Sequence, residues 1–339
     1  MNKLILPLCL LILTSFSGPL PKQNDDPVYN APWLDKKMIY VPSGTFTMWE
    51  IVKEKENVRT GTKNISVASF YMFPFEVSNH FYQVYLWELK KTDSLAHRAA
   101  LPDTTVWRDK LAYNEPYVDY YFRHPAYREY PLVGVTHLQC EKFCEWLTEK
   151  YNSDPKRKHK KVKFRLPSKV EWMHVAANLT DEEIKRKMTH DKSIAEIKRF
   201  PWKGQYMTNE KGQPLANFRM IDQGSVLQVS GKYITADSLY SEKGNFLVAE
   251  SNFNPCSYNG YIMDCADVTA PVTAYQPNVL GLYNLAGNVE EFVLEYGITK
   301  GGSWCDTGYY LQNFVEEYYT KANEATSSRG FRFVMEVVE

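Results

Sequence analysis

The chain combines short strand-like runs with a few amphipathic stripes of helical period. Apolar and β-branched runs bounded by Pro, Gly or Asn are typical of strands. Such runs predict five strands, at residues 38–41, 45–48, 65–72, 162–166 and 331–335. Few helices interrupt these runs.

Three segments carry helix start signals, at Ser78, Thr136 and Ser168. Ser and Thr cap helices through their side-chain oxygens, and a Gln or Glu three residues later completes a capping box. Gln139 and Glu171 provide that second half for the last two helices. We therefore expect helices over 78–90, from 136 and from 168.

Two cysteines lie on the apolar stripe of the second predicted helix. Cys140 and Cys144 alternate with Phe143 and Leu147 at helical spacing. Cysteines in such positions usually behave as small buried hydrophobic residues. The pattern favours a core role for this pair over a metal or redox role.

From Phe200 onward the sequence is aromatic and rich in Gly and Asn, with little periodicity. A long irregular stretch inside a compact domain usually indicates function or bound ions. Hydrophobic residues make up 44% of the 339 positions, enough for one large domain or two small ones.

Charge excludes a general attraction to nucleic acid. Lys and Arg together number 40, and Asp and Glu together also number 40. A formal net charge of zero implies recognition through local surfaces. The basic run at 156–161 favours a solvated loop, with an acidic partner or lipopolysaccharide as the alternative.

The N-terminus predicts an exported protein without a transmembrane span. Lys3 precedes an apolar run at 4–13, and Ser15 and Ser17 form a small-x-small cleavage site. We expect a signal peptide at 1–17, a Pro-rich linker at 18–35 and one domain at 36–339, in the periplasm or at the periplasmic side of the outer membrane. A buried N-terminal helix is the alternative. Cys9 lies inside the apolar run, which argues against lipid attachment.

Five cysteines remain after the signal segment, an odd number, so at least one thiol should be free. Cys256 and Cys265 flank a short Gly-containing loop and form our expected disulfide. The distance between them is not deducible from the sequence.

Several motifs, in a fixed order, resemble the formylglycine-generating enzyme or sulfatase-modifying factor family. They are YVPSGTFTM at 40–48, FEVSN at 75–79, FRLPSKVEW at 164–172, FPW at 200–202, ANF at 216–218, GLYNLAGNVEEFV at 281–293, KGGSW at 300–304 and RGFRF at 329–333. This resemblance implies an α+β fold of the elaborated C-type-lectin type, with much irregular structure.

The insert between the first two helices resembles a subgroup of that family. Segments at 101–107, 113–116, 121–127 and 130–136 are similar to those of GldK, also called PorK, a component of gliding motility and type IX secretion. The resemblance implies a non-catalytic binding or assembly role in an envelope protein complex.

Enzymes of the family use two nearby cysteines to bind copper(I), since soft thiolates suit that ion. Those cysteines stand at the fourth and ninth positions after the second glycine of the GGS motif, where this chain has Asp306 and Leu311. Cys305 is one position too early, and on a strand that offset reverses the side-chain direction. Cys305 is thus a weak catalytic candidate, and a copper-dependent oxidase acting on sulfatase cysteine is the alternative function.

The resemblance also implies structural calcium, which oxygen ligands from loops can bind. One ion would use Asn217, Phe218, Asn259 and Tyr261; a second would use Gly287, Asn288, Val289 and Glu291. Asn259 stands where relatives often have Asp, which should weaken the first site. The alternative is that these asparagines cap turns.

Tyrosines are concentrated in the subgroup insert, at 117, 120, 121, 127 and 130. Aromatic anchors are enriched at protein interfaces. Tyr121 and Tyr127 are therefore our candidates for partner contact, with packing inside the domain as the alternative for each.

Overall fold

The computed structural model describes residues 29–54, 57–108, 114–177, 199–203, 206–209, 213–219, 226–229, 232–235, 266, 268–321 and 324–339. Its helices are α1 (Ala31–Lys37), α2 (Asn79–Thr92), α3 (Ser94–Ala100), α4 (Glu115–Tyr120), α5 (His137–Ser153) and α6 (Lys169–Ala176). Short 3-10 turns lie at Thr104–Trp107 and Pro125–Tyr127.

The described strands are β1 (Ile39–Val41), β2 (Gly44–Glu54), β3 (Asn57–Val67), β4 (Phe70–Met72), β5 (Val162–Arg165), β6 (Val226–Val229), β7 (Lys232–Thr235), β8 (Glu290–Phe292), β9 (Ile298–Lys300), β10 (Glu317–Tyr318), β11 (Arg329–Gly330) and β12 (Val334–Val337). β2 pairs with β3 and β6 with β7 as antiparallel hairpins.

The first sheet brings both ends of the domain together in the order β1-β4-β12-β5. All its pairs are antiparallel, with Val334 opposite Met72 on one side and Arg165 on the other. Met72 and Val334 are fully buried. The C-terminal strand β12 therefore lies inside the sheet, between β4 and β5.

The second sheet, in the order β10-β9-β8-β11, contains strands from the family motifs at 281–293, 300–304 and 329–333. β8 and β11 run parallel, and their register places Arg329 opposite Glu290 and Gly330 opposite Glu291. This pairing sets the charged residues of two distant motifs side by side.

The capped helices predicted from the sequence are present. Ser78 caps α2, and reciprocal capping boxes begin α5 at Thr136 and α6 at Ser168. Cys140 and Cys144 lie in the main aromatic core, 0% and 2% exposed, which confirms their core role. Burial raises the pKa of both thiols.

Three boundaries differ from the sequence prediction. Residues 29–35, assigned above to the linker, belong to the domain, because Ala31 and Leu34 of α1 are buried in the main core. The strand predicted at 65–72 is interrupted between β3 and β4. The strand predicted at 331–335 is displaced, since Phe331 and Phe333 lie between β11 and β12, both fully buried.

Within the described residues, no helix combines the length and apolar character that crossing a bilayer requires. The signal segment and the expected Cys256–Cys265 disulfide lie outside the described residues.

Candidate functional site

The side chains of two buried asparagines, Asn217 and Asn288, form hydrogen bonds with the backbone of the segment 268–270. We call this arrangement the asparagine clamp. The Asn288 side chain accepts from the Ala270 amide at 2.7 Å and donates to the Ala270 carbonyl at 3.1 Å. The Asn217 amide group donates to the Val268 carbonyl at 2.8 Å. These bonds replace the ladder that a neighbouring strand would supply, so the segment has a defined position without belonging to a sheet.

The Gly287-Asn288 turn makes this clamp possible. Both residues have left-handed backbone conformations, with φ of 75° and 66°. A Cβ on Gly287 would lie 2.3 Å from the Asn217 carbonyl oxygen, which accepts from the Asn288 amide at 2.7 Å. Glycine is required here by both backbone angle and close approach.

Glu291 and Arg332 form a fully buried ion pair. The Arg332 Nε donates to both Glu291 oxygens at 2.8 Å, and the Trp172 indole donates to one of them at 2.8 Å. Arg332 also donates to the carbonyl oxygens of Pro74 and Tyr283. Buried charges need this degree of hydrogen bonding to be tolerated.

Glu76 joins the clamp to the ion pair. Its oxygens accept from Asn288 at 2.9 Å and from Asn284 at 3.0 Å. Burial raises the pKa of Glu76 to about 8; the Arg332 guanidinium opposes this shift and Glu291 reinforces it. Burial thus shifts Glu76 toward its neutral form, which limits the negative charge beside Glu291.

The predicted second calcium site does not fit this arrangement. Both Glu291 oxygens accept hydrogen bonds from Arg332 and Trp172, and a cation bound there would face a buried guanidinium. The Asn288 carbonyl accepts from the Trp304 amide at 3.0 Å. The Val289 side chain packs in an apolar cluster with Trp107 and Tyr121.

The first predicted calcium site is only partly described. Asn217 and Phe218 are buried, at 3% and 8% exposed, whereas Asn259 and Tyr261 lie outside the described residues. The part of the chain that is described contains no group of three or more His, Cys, Asp or Glu side chains placed to hold a metal ion. Calcium at the first site stays a prediction.

Cys305 lies in a turn and not on a strand, so the alternation expected for it is wrong. The Ser303 hydroxyl lies 3.4 Å from the Cys305 sulfur and also bonds to Asp306, whose carboxylate accepts from the Ser303 amide at 2.8 Å. Cys305 and Asp306 therefore both reach the same serine. Leu311, at the position of the second enzyme cysteine, is fully buried in an apolar cluster with Phe200.

Three carboxylates and one guanidinium surround this turn. Glu290 pairs with Arg329 at 3.0 Å. Burial, followed by the charge of Glu290, raises the pKa of Asp306 to about 7. Burial, followed by the charge of Asp306, raises the pKa of Glu317. The turn thus favours carboxyl groups that hold their protons, and the sequence analysis did not identify it.

The subgroup insert packs its tyrosines unequally. Tyr121 is 1% exposed, and its hydroxyl donates to the Pro131 carbonyl at 2.7 Å and lies 2.8 Å from the Thr269 hydroxyl. Tyr121 therefore packs inside the domain, the alternative left open above. Tyr127 is half-buried, with its ring centroid 5.1 Å from that of Tyr130.

A cavity of about 450 Å³ lies between the insert and the clamped segment. Its lining includes Tyr117, Tyr127, Tyr130, Thr269 and Tyr275, with no Asp, Glu, Lys or Arg side chain among the described lining residues. The segment 268–270, which Asn217 and Asn288 hold in place, forms one wall. Sequence reasoning missed this cavity, because its two walls are far apart along the chain.

Known proteins were compared with the chain by sequence and by structure. The model of the sulfatase-modifying factor enzyme 1-like domain matches residues 26–337. Mouse formylglycine-generating enzyme is 23% identical over 343 aligned positions, which cover 87% of this chain and 74% of that enzyme.

Two solved structures align with most of the chain. PvdO from Pseudomonas aeruginosa aligns with a TM-score of 0.49 and 17% identity, over 88% of this chain and 94% of its own. CarF aligns with a TM-score of 0.47 and 17% identity, over 89% and 98%. The family model and the mixed helices and strands described above confirm the α+β fold expected from the motifs. This chain belongs to the sulfatase-modifying factor family, the family of the formylglycine-generating enzyme.

Proposed function

We propose that this chain is a non-catalytic binding or assembly component of an envelope protein complex. The subgroup motifs of the insert suggest a role of the GldK type, in gliding motility or type IX secretion. The observation that carries the proposal is the replacement of both copper-binding cysteine positions, by Asp306 and by the fully buried Leu311.

A copper(I) site of the family type needs paired soft thiolates. Leu311 offers no donor atom, and its side chain is enclosed by apolar neighbours that include Phe200 and Phe218. Cys140 and Cys144 pack in the main core, and their raised pKa disfavours thiolates. Among the described residues, Cys305 is the thiol that lies at the motif, and its neighbour Asp306 occupies the position of the first enzyme cysteine.

The tyrosine-lined cavity supports a binding role. Ligand sites are concave, largely preformed and lined by aromatic side chains with a few polar groups. Here the asparagine clamp fixes one wall, and Tyr127 and Tyr130 form the other. Of the two candidates Tyr121 and Tyr127, we therefore propose Tyr127 as the residue that contacts the partner. We place the protein, as an exported protein, on the periplasmic side of the outer membrane.

Copper(I) titration tests the rejection of the oxidase. The reduced protein should fail to remove copper(I) from a competing chromogenic chelator, and Cys305→Ser should behave like wild type. Mouse formylglycine-generating enzyme is the positive control. Tight stoichiometric binding that Cys305→Ser abolishes would reverse the proposal in favour of the oxidase.

Affinity purification from the native envelope tests the binding role. Tyr127→Ala should lose partners that wild type retains, whereas Tyr120→Ala should keep them. Tyr120 is the matched control, because it lies in the same insert, is 54% exposed and does not line the cavity. Melting temperatures of both variants separate lost binding from lost folding, and equal partner recovery from two folded variants would contradict the proposed contact.

A further inference from the structure

A patch of lysines lies where the described domain begins. Lys36 and Lys37 end α1, and Lys156, Lys158 and Lys161 belong to the loop between α5 and β5. The two segments are far apart in sequence.

Two carboxylates, those of Asp35 and Asp154, bring these segments together. Asp35 accepts from the Lys158 amide at 3.0 Å and from the Tyr151 hydroxyl at 2.6 Å. Asp154 likewise accepts from the Ala31 amide at 3.1 Å and from the Lys156 amide at 2.8 Å. Both carboxylates are thus engaged by main-chain amides of the patch that they assemble.

The five lysine side chains are exposed, and none forms an ion pair within the part of the chain that is described. The other two basic side chains of the loop, Arg157 and Lys160, have partners within the domain. Arg157 folds back and donates to the carbonyl oxygens of Asp154 and Lys160, and Lys160 pairs with Glu339 at 2.7 Å. The patch therefore carries a local positive charge although the whole chain is neutral.

An exposed tyrosine lies at the border of the patch. Tyr40 is 54% exposed, its ring centroid is 5.3 Å from that of Tyr71, and the Tyr71 ring lies 5.5 Å from the His159 ring. Tyrosine rings are enriched at the headgroup level of membranes, where one end is apolar and the other hydrated.

We infer that this patch, formed by Lys36, Lys37, Lys156, Lys158 and Lys161, binds an anionic phospholipid surface. Lysine ammonium groups are compact point charges suited to phosphates, and lysine is depleted in the centres of protein interfaces. The one arginine of the loop is folded onto the backbone instead of being presented for bidentate pairing.

Vesicle co-sedimentation of the full chain tests this inference. Wild type should bind vesicles of phosphatidylglycerol mixed with phosphatidylcholine more strongly than vesicles of phosphatidylcholine alone, and high salt should remove the difference. The neutral vesicles measure any contribution of the N-terminal apolar run. Each lysine near an anionic surface contributes about fivefold in affinity, so Lys156→Gln with Lys158→Gln should lower binding roughly 30-fold.

The matched control is Lys63→Gln with Lys321→Gln, which removes the same charge from exposed lysines elsewhere in the chain. The control should bind like wild type, and both double variants should keep the wild-type melting temperature. An equal loss in the control, or no preference of wild type for anionic vesicles, overturns the inference. Binding to immobilised polyglutamate without vesicle binding also overturns it, in favour of an acidic protein partner.

Discussion

The Glu291–Arg332 pair offers the sharpest test of how this site is built. Glu291→Gln preserves shape but removes the charge that balances Arg332, which has a fully buried side chain. Arginine does not lose its proton in proteins, so the uncompensated charge persists. Removing one partner of a buried ion pair costs about 3–5 kcal/mol. We expect a loss of that size in the free energy of unfolding.

A double-mutant cycle with Arg332→Met measures the pair itself. Glu291→Gln with Arg332→Met should be less destabilising than the sum of the two single variants, by about 1–3 kcal/mol. Urea unfolding at neutral pH provides the values, since the linear dependence on denaturant gives each free energy. Each variant is measured with excess calcium and with EDTA.

The ion pair and the calcium ligand predict different results in this cycle. An internal pair gives the same cost for Glu291→Gln in calcium and in EDTA. A calcium ligand gives a wild type that calcium stabilises, a variant that calcium does not, and no coupling to Arg332. The second set of results would refute the ion-pair account.

Three further perturbations follow from the geometry. Because burial raises the pKa of Asp306 to about 7, the folded state retains a proton that the unfolded chain releases near its ordinary value of 3.8. The free energy of unfolding of wild type should therefore fall between about pH 4 and pH 7. Over the same window, the stability of Asp306→Asn relative to wild type should rise by at most about 4 kcal/mol, as measured by urea unfolding. Parallel pH profiles of the two proteins would contradict this. Gly287→Ala should lower the free energy of unfolding by at least about 2 kcal/mol, because the new Cβ would clash with a carbonyl oxygen and the left-handed backbone would be strained. The loss should exceed that of Gly281→Ala, whose Cβ would meet only a flexible side chain. Equal losses in melting temperature would show that the clash is absent. Tyr121→Phe should cost about 1 kcal/mol in unfolding free energy through the lost bond to the Pro131 carbonyl, and a neutral result would place that hydroxyl in water.

Local signals in the sequence were sufficient for three of the six described helices and for the family. Ser78, Thr136 and Ser168 begin helices as predicted, since a cap and its partner lie within three residues of each other. Motif order was sufficient for the α+β fold of the family because it samples the whole domain.

The tertiary structure alone decided what the charged and aromatic residues contact. Glu291 had been expected to bind calcium, yet its partner is Arg332, 41 positions away and brought alongside by the parallel pairing of β8 with β11. Tyr121 had been a candidate for partner contact, yet it bonds within the domain to Thr269, 148 positions away. A motif specifies the type of a side chain, whereas its partner depends on which distant segments pack beside it. Long-range pairing is therefore the physical reason that the fold was predictable from the sequence while the contacts of Glu291 and Tyr121 were not.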